Sequence, residues 1–229
     1  MIGIIGAMAS EVNGLKAQMQ ELEIQKIGTT NFYHGILFGK EAVVAKCGIG
    51  KVNASMCTQN MIHAYKPELI INTGCAAGVG DGIHVGDIVL ASKAVQHDLD
   101  YGPLPDARGY LDGIDRVYID ADMENTKKIA SIAESIGVHT RIGVVATGDQ
   151  FLCDPVKKEE IKTLFHAEAV EMEGGSIAHT ACANGVPFVI LRSISDNGDE
   201  AASGSYEAFE KEVNKINIEI LKRYLEGHQ

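Results

Sequence analysis

Three stretches put carboxylates where chemistry could use them. Glu11 follows the apolar run Ile2–Ala7 and stands in Ser10-Glu11-Val12, at the start of a helical pattern. Val170-Glu171-Met172-Glu173 carries two acids at the end of an apolar strand, just before Gly174-Gly175. Arg192-Ser193-Ile194-Ser195-Asp196 has the same shape, an apolar strand ending in an acid and then a loop. Acids held beside a core strand suit general acid–base work, because burial moves a carboxyl toward neutrality. Each also has an ordinary structural reading. Acids favour the first turn of a helix through its dipole. Glu171 and Glu173 could stand solvated at a strand end, Arg192 could pair with a nearby acid, and Asp196 could cap a turn. If both are extended, alternation puts Glu171 and Glu173 on one face. Two acids beside a core strand are costly unless they bind something.

Other motif classes fit poorly. Ile5-Gly6-Ala7-Met8 lies between a strand and a helix but lacks the G-x-G-x-x-G spacing of a dinucleotide site. Gly48-Ile49-Gly50-Lys51 has Ala45 where a phosphate loop needs its first glycine, and Val52 where Ser or Thr would hold magnesium. His97-Asp98-Leu99-Asp100 has no further ligands at metal-binding spacing, so no metal is expected. There is no G-x-S-x-G nucleophile elbow.

The elements that must position the acids can be read from hydrophobic period and turn residues. Ile2–Ala7 reads as a buried strand, and Val12, Leu15, Met19 and Leu22 as a helical face. Phe32–Phe38 and Glu41–Cys47 read as a hairpin around Gly39-Lys40, and Val52–Tyr65 as a helix closed by Pro67. Leu69–Thr73 reads as a strand followed by a small-residue loop, Gly74–Gly78. Asp87–Ser92 and Lys93–His97 read as strand material, and Asp98–Gly113 as a loop. Asp122–Ile136, Pro155–Phe165 and Gly175–Ala183 read as helices. Thr140–Ala146, Ala169–Met172 and Phe188–Ser193 read as strands. Asp196–Gly204 reads as a loop, with Ser205 capping a last helix to about Leu225. Alternating strands and helices predict an α/β fold, three layers with a central mixed sheet and helices on both faces. In such sheets ligands sit where strands end in loops. No repeat, low-complexity tract or linker divides the 229 residues, so one domain over 1–229 is expected.

Composition narrows the partners. Apolar residues make up 45% and charged residues 22%, an ordinary globular balance. Twenty basic residues against 31 acidic give a formal charge of −11, with the basic ones scattered. Such a surface repels phosphate backbones and anionic lipid, so neither nucleic acid nor membrane is an expected partner. A small neutral or cationic ligand fits better. The five cysteines form no CxxC pair and fall largely in apolar stretches, which reads as a reducing compartment. The apolar start has no basic residue before Lys16, unlike a signal peptide, and a cytoplasmic protein is expected.

Taken together, the motifs resemble bacterial 5′-methylthioadenosine/S-adenosylhomocysteine nucleosidases, in the nucleoside phosphorylase/hydrolase superfamily. The resemblance is carried by Gly3-Ile-Ile-Gly-Ala-Met8 with Glu11, Gly48-Ile-Gly-Lys-Val52, Ile71-Asn-Thr-Gly74 and Val85-Gly-Asp-Ile-Val89. It continues through His97-Asp98, Thr147-Gly-Asp149, Ala169-Val-Glu-Met-Glu173 and Arg192-Ser-Ile-Ser-Asp196. These occur in the family's order, at nearly its spacings, over essentially the whole chain. The resemblance implies a cofactor-free hydrolase and assigns roles. Glu11 is the base that activates water, and Asp196 donates a proton to N7 of adenine. Glu173 bonds the ribose hydroxyls and Met172 packs under the ribose. Phe151 stacks on the adenine, and the Leu152 backbone reads its amino edge. Met8, Ile49 and Tyr206 line the pocket for the 5′-thio group. Arg192 and Cys75 sit near the water, and Glu171 and Ser195 are counted with the substrate-binding residues. It also implies a homodimer in which the 97–110 loop lies near the partner's active site. Cys75 stands where many relatives have Ser, and Tyr206 where Phe is commoner.

The chemistry asks for such a pair. Adenine is a poor leaving anion, so N7 must be protonated as the bond breaks. Water must lose a proton as it attacks the oxocarbenium-like sugar. Two competing readings remain at this point, a phosphate-dependent nucleoside phosphorylase and a non-catalytic adenine-nucleoside binder. A phosphorylase must hold a dianion with arginines or backbone amides. Here Glu11 would repel it, and only Lys51 and Arg192 are nearby cations in sequence. Hydrolysis is the expectation.

Overall fold

The computed structural model describes residues 1–102 and 107–227. The elements in chain order are β1 (Ile2–Gly6), α1 (Ala9–Lys16), β2 (Gln20–Ile27), β3 (Thr30–Leu37), β4 (Lys40–Lys46), α2 (Lys51–Tyr65), β5 (Leu69–Gly78) and β6 (Ile88–Gln96). There follow β7 (Ile119–Asp120), α3 (Met123–Ser135), β8 (Thr140–Thr147), α4 (Pro155–Phe165), β9 (Ala167–Glu171), α5 (Gly174–Ala183), β10 (Phe188–Asp196) and α6 (Ala202–Glu226).

The expected mixed sheet with helices on both faces is present, and strand alternation explains the layering. Ile5, Val43, Ala45, Ile70 and Ile190 point to the face covered by Ala54, Cys57 and Met61 of α2 and Ile177, Ala178 and Ala181 of α5. Their neighbours Ile4, Val44, Ile71, Val189 and Leu191 point the other way. There they meet Val12 and Leu15 of α1, Ile129 and Ala133 of α3, and Ile220, Leu221 and Leu225 of α6. Each large aliphatic side chain buried this way contributes roughly 1.5–3 kcal/mol.

The topology turns on β5. Its first residues pair parallel with β1, from Ile2 opposite Leu69 to Ile5 opposite Asn72. From Ile70 to Ala77 its other edge pairs parallel with β10. Once β1 has ended, Ala77 and Gly78 pair antiparallel with Val170 and Ala169 of β9. Because β10 also pairs with β6, β6 with β8, and β8 with β9, these strands and β5 close a ring. The strands β1, β4, β3 and β2 continue the sheet outward. Closure draws together the C-terminal ends of β1, β5, β9 and β10.

Several sequence expectations need correction. The helix expected through Leu22 stops at Lys16, and Met19 is followed by the edge strand β2. That strand is exposed nearly throughout, and its charged residues suit an unpaired edge. Gly74–Gly78 is not a loop but the second half of β5, buried at every position. Its small residues serve close packing. A Cβ on Gly78 would stand 2.8 Å from Ile83 and 3.0 Å from Ile194. The two expected strand pieces over 87–97 are one strand, β6, with a register shift between Ala91 and Lys93. Ser205 caps nothing, because α6 begins three residues earlier. Asp199 provides the turn there, its Oδ1 accepting from the Ala201 N–H at 3.0 Å. The short strand β7 went unread in the sequence. Residues 103–106 of the loop expected to approach a partner subunit lie outside the described residues.

Candidate active site

An apolar cavity of about 240 Å³ opens where the strand ends converge, and every residue that the sequence assigns to the site lines it. Met8 follows β1, and Glu11 stands in the first turn of α1. Ile49 lies between β4 and α2, and Cys75 on β5. Phe151 and Leu152 lie on the segment after β8. Glu171 ends β9, and Met172 and Glu173 lead into α5. Arg192, Ser195 and Asp196 lie on β10, and Tyr206 on α6.

Glu11 is buried and turned back on its own helix start. Its Oε2 accepts from the N–H groups of Ala7 at 2.6 Å and Met8 at 2.9 Å, and its Oε1 from Cys75 N–H at 3.3 Å. Gly74 makes this approach possible: a Cβ there would lie 2.5 Å from Glu11 Oε1 and against Arg192 Nη1. Burial raises the Glu11 pKa, and the Arg192 charge and the three N–H donors only partly oppose it.

Asp196 reaches the cavity through a bulge. The pairing of β10 with β5 slips between Ile194 and Asp196, which re-aims the side chain at the strand's end. Its Oδ1 accepts from Gly198 N–H and its Oδ2 from the Ser195 hydroxyl, each at 2.9 Å. Both bonds favour the carboxylate, yet burial outweighs them and its pKa is raised. A carboxyl that keeps its proton more readily than usual is suited to donate one.

Between them lies a buried ionic cluster. Arg192, only 1% exposed, donates from Nη2 to Glu171 Oε2 and, at 2.5 Å, to Asn72 Oδ1, while its Nη1 donates to the Cys75 carbonyl at 3.3 Å. Glu173 Oε2 lies 3.7 Å from Arg192 Nη2, and its Oε1 accepts from Gly50 N–H at 2.9 Å. Glu171 accepts from more donors than any acid in the cluster. Its Oε2 takes the N–H groups of Glu173 at 2.8 Å and Gly174 at 2.6 Å besides Arg192, and its Oε1 takes the Thr147 hydroxyl. Thr147 Oγ1 in turn accepts from Gly175 N–H at 2.6 Å. Asn72 and Thr147 were not singled out in the sequence as site residues. The signal was available for Asn72, a polar side chain in the apolar run of β5.

Glu173 is pushed up to about 7, first by burial and then by the charge of Glu171, against the pull of Arg192. A raised carboxyl binds its proton more tightly folded than unfolded. Its contribution to stability is therefore present below the ordinary value of 4.5 and is lost as pH rises through about 7. Glu173→Gln removes that titration. The fall in melting temperature between about pH 5 and about pH 8 is expected to be smaller in the variant than in the wild type. Equal falls in the two proteins would contradict a raised Glu173.

Phe151 stands half exposed at the cavity mouth, edge-on to Tyr206 with ring centroids 6.1 Å apart. The Tyr206 hydroxyl donates to Met8 Sδ at 2.9 Å. His97-Asp98 lies outside the cavity lining and ties neighbouring loops together. Asp98 accepts from Lys51 Nζ at 2.6 Å and from Asp149 N–H at 2.8 Å. Among the described residues no group of three or more His, Cys, Asp or Glu could hold a metal ion. None of the helices there is long and apolar enough to cross a membrane.

The sequence profile of the phosphorylase superfamily matches residues 1–226. The 5′-methylthioadenosine/S-adenosylhomocysteine nucleosidase of Actinobacillus succinogenes is 39% identical over 221 residues, 96% of each chain. The enzyme of that name from Neisseria meningitidis, solved with methylthio-immucillin-A, superposes with a TM-score of 0.94 at 32% identity over 98% of each chain. The futalosine hydrolase of Helicobacter pylori superposes with a TM-score of 0.91 at 32% identity, over 96% of this chain and 95% of that one. The chain belongs to the 5′-methylthioadenosine/S-adenosylhomocysteine nucleosidase family of the phosphorylase superfamily.

Proposed function

We propose that this protein hydrolyses the N-glycosidic bond of 5′-methylthioadenosine and S-adenosylhomocysteine, releasing adenine and the 5-thioribose product. The observation that carries hydrolysis over phosphorolysis is the charge of the cavity. Among the described residues lining it, Arg192 is the one cation, and it is engaged by Glu171 and Glu173. A phosphate dianion would face Glu11, Glu171 and Glu173 with no free positive charge to hold it. A neutral water faces no such penalty.

In this reading Glu11 takes the proton of the attacking water and Asp196 delivers one to N7 of adenine. Glu173 holds the ribose hydroxyls, and Met172 packs beneath the sugar. Phe151 and Leu152 receive the base. Met8, Ile49 and Tyr206 receive the 5′ substituent, with Cys75 and Arg192 near the water. Each proton transfer contributes about 10²- to 10⁴-fold to the rate. The raised pKa values of Glu11 and Asp196 support the assignment, since both acids are tuned toward neutrality. We take residues 1–229 as one domain, acting as a cytoplasmic homodimer in methionine salvage. The exposed apolar side chains of Ile49, Val52 and Met56 support a subunit contact beside the site. Adenine release from methylthioadenosine in phosphate-free buffer is the test. Steady turnover is expected; turnover that appears only once phosphate is added would mean a phosphorylase, and bound but uncleaved substrate even with phosphate present would leave only a nucleoside-binding role.

A further inference from the structure

We propose that Thr147 and Asn72 are positioning residues for this reaction, and that Glu171 belongs with them as the hub of a buried clamp instead of touching substrate. The inference rests on the hydrolytic reading above. The four donors on Glu171 come from Thr147, Arg192 and the N–H groups of Glu173 and Gly174. A carboxylate so occupied has little capacity left for a ribose hydroxyl, whereas Glu173 spends only one bond, on Gly50. The clamp has an anchor at each end. Asn72 takes Arg192 on Oδ1 and donates from Nδ2 to the Ile5 carbonyl at 3.0 Å, tying the guanidinium to β1. Thr147 ties Glu171 to the end of β8 and, through Gly175 N–H, to the first turn of α5.

The two glycines after Glu173 fit this purpose. A Cβ on Gly175 would lie 2.7 Å from Thr147 Oγ1, and one on Gly174 would lie 3.1 Å from Glu171 Oε1 and 3.2 Å from Asn72 Oδ1. At Gly175 the contact with Thr147 is too short for a Cβ without something shifting, and at Gly174 the clamp atoms would have to give by a few tenths of an ångström. Neither Thr147 nor Asn72 lines the cavity, so any effect they have on turnover must pass through the groups they hold. The Glu173 backbone is held directly by Glu171, and its carboxylate faces Arg192, which the same clamp orients. Thr147 thus acts on the sugar contact through Glu173.

The experiment is a double-mutant cycle read as kcat/KM for adenine release. T147V removes the hydroxyl at nearly constant shape. It is expected to lower kcat/KM by about 10- to 100-fold in the wild-type background, the scale of a small misplacement of a reacting group. In an E173Q background the same change is expected to cost less than about 3-fold, because the group it positions is already altered. T147S, which keeps the hydroxyl, is expected to recover most of the loss. A purely structural role would give equal losses in both backgrounds, and that result overturns the proposal. So does a crystal structure of T147V in which Glu173 and Arg192 keep their places. A wild-type chain that releases no adenine sinks the hydrolytic reading alone, and the clamp then stands or falls on that crystal structure.

Discussion

Glu11→Gln is expected to lower kcat for adenine release by about 10²- to 10⁴-fold while the protein stays folded and still binds substrate. Gln keeps the shape of Glu and can still accept hydrogen bonds, so the loss reports the missing base. The structure explains why the fold should tolerate it. The carboxylate accepts from three backbone N–H groups, of Ala7, Met8 and Cys75, and an amide oxygen can retain part of that set. The buried negative charge that Gln removes is already disfavoured by burial. Asp196→Asn is expected to show a loss on the same scale, with Gly198 N–H and Ser195 still within bonding reach of the side chain. If either variant kept wild-type turnover, its assigned proton transfer would be wrong. If either lost substrate binding along with turnover, the loss could not be assigned to chemistry.

Arg192→Met should give the largest loss of stability. The guanidinium is buried in contact with Glu171, Glu173 and Asn72. Burial by itself would lower its pKa, but the charges of Glu171, Glu173 and Glu11 hold it above the ordinary value. Removing one member of a buried charge group costs about 3–5 kcal/mol, because the others are left uncompensated. For a chain of this size that corresponds to a melting temperature lower by on the order of 10 °C. The sign of the pH dependence follows. Without Arg192 the remaining carboxyls bind protons more readily, and protonation relieves the buried charge. The deficit should be larger near about pH 8 than near about pH 5. Thermal unfolding of the variant and the wild type at both values checks it. A deficit independent of pH would mean that lost packing, and not unpaired charge, is responsible.

The sequence and the structure agree best where local chemistry decides. Apolar runs such as Ile2–Ala7 and Phe188–Ser193 became strands because both of their faces are buried. Asp122 and Asp154 cap α3 and α4 with their own side chains, at helix starts that the pattern had marked. The misreadings share one cause, the closing of the sheet. Gly74–Gly78 looks like a turn from its composition, but pairing with β10 and β9 makes it strand. Leu22 continues a helical period by count, yet β3 offers that stretch a partner. Within the site, Glu11, Glu171, Glu173 and Asp196 announced themselves as acids beside apolar runs. The bonds that tie Arg192 to Asn72 and Thr147 to Glu171 span 120 and 24 residues. No local pattern encodes them, because they exist only once β5, β8, β9 and β10 are joined.

In the proposed reaction water, and not phosphate, takes the sugar. This is tested most directly by turning over methylthioadenosine in ¹⁸O-labelled water with inorganic phosphate present, and weighing the sugar product. Methylthioribose carrying one labelled oxygen, formed at a rate that does not depend on phosphate, is the expected result. A sugar 1-phosphate, or a rate that rises with phosphate, would contradict it.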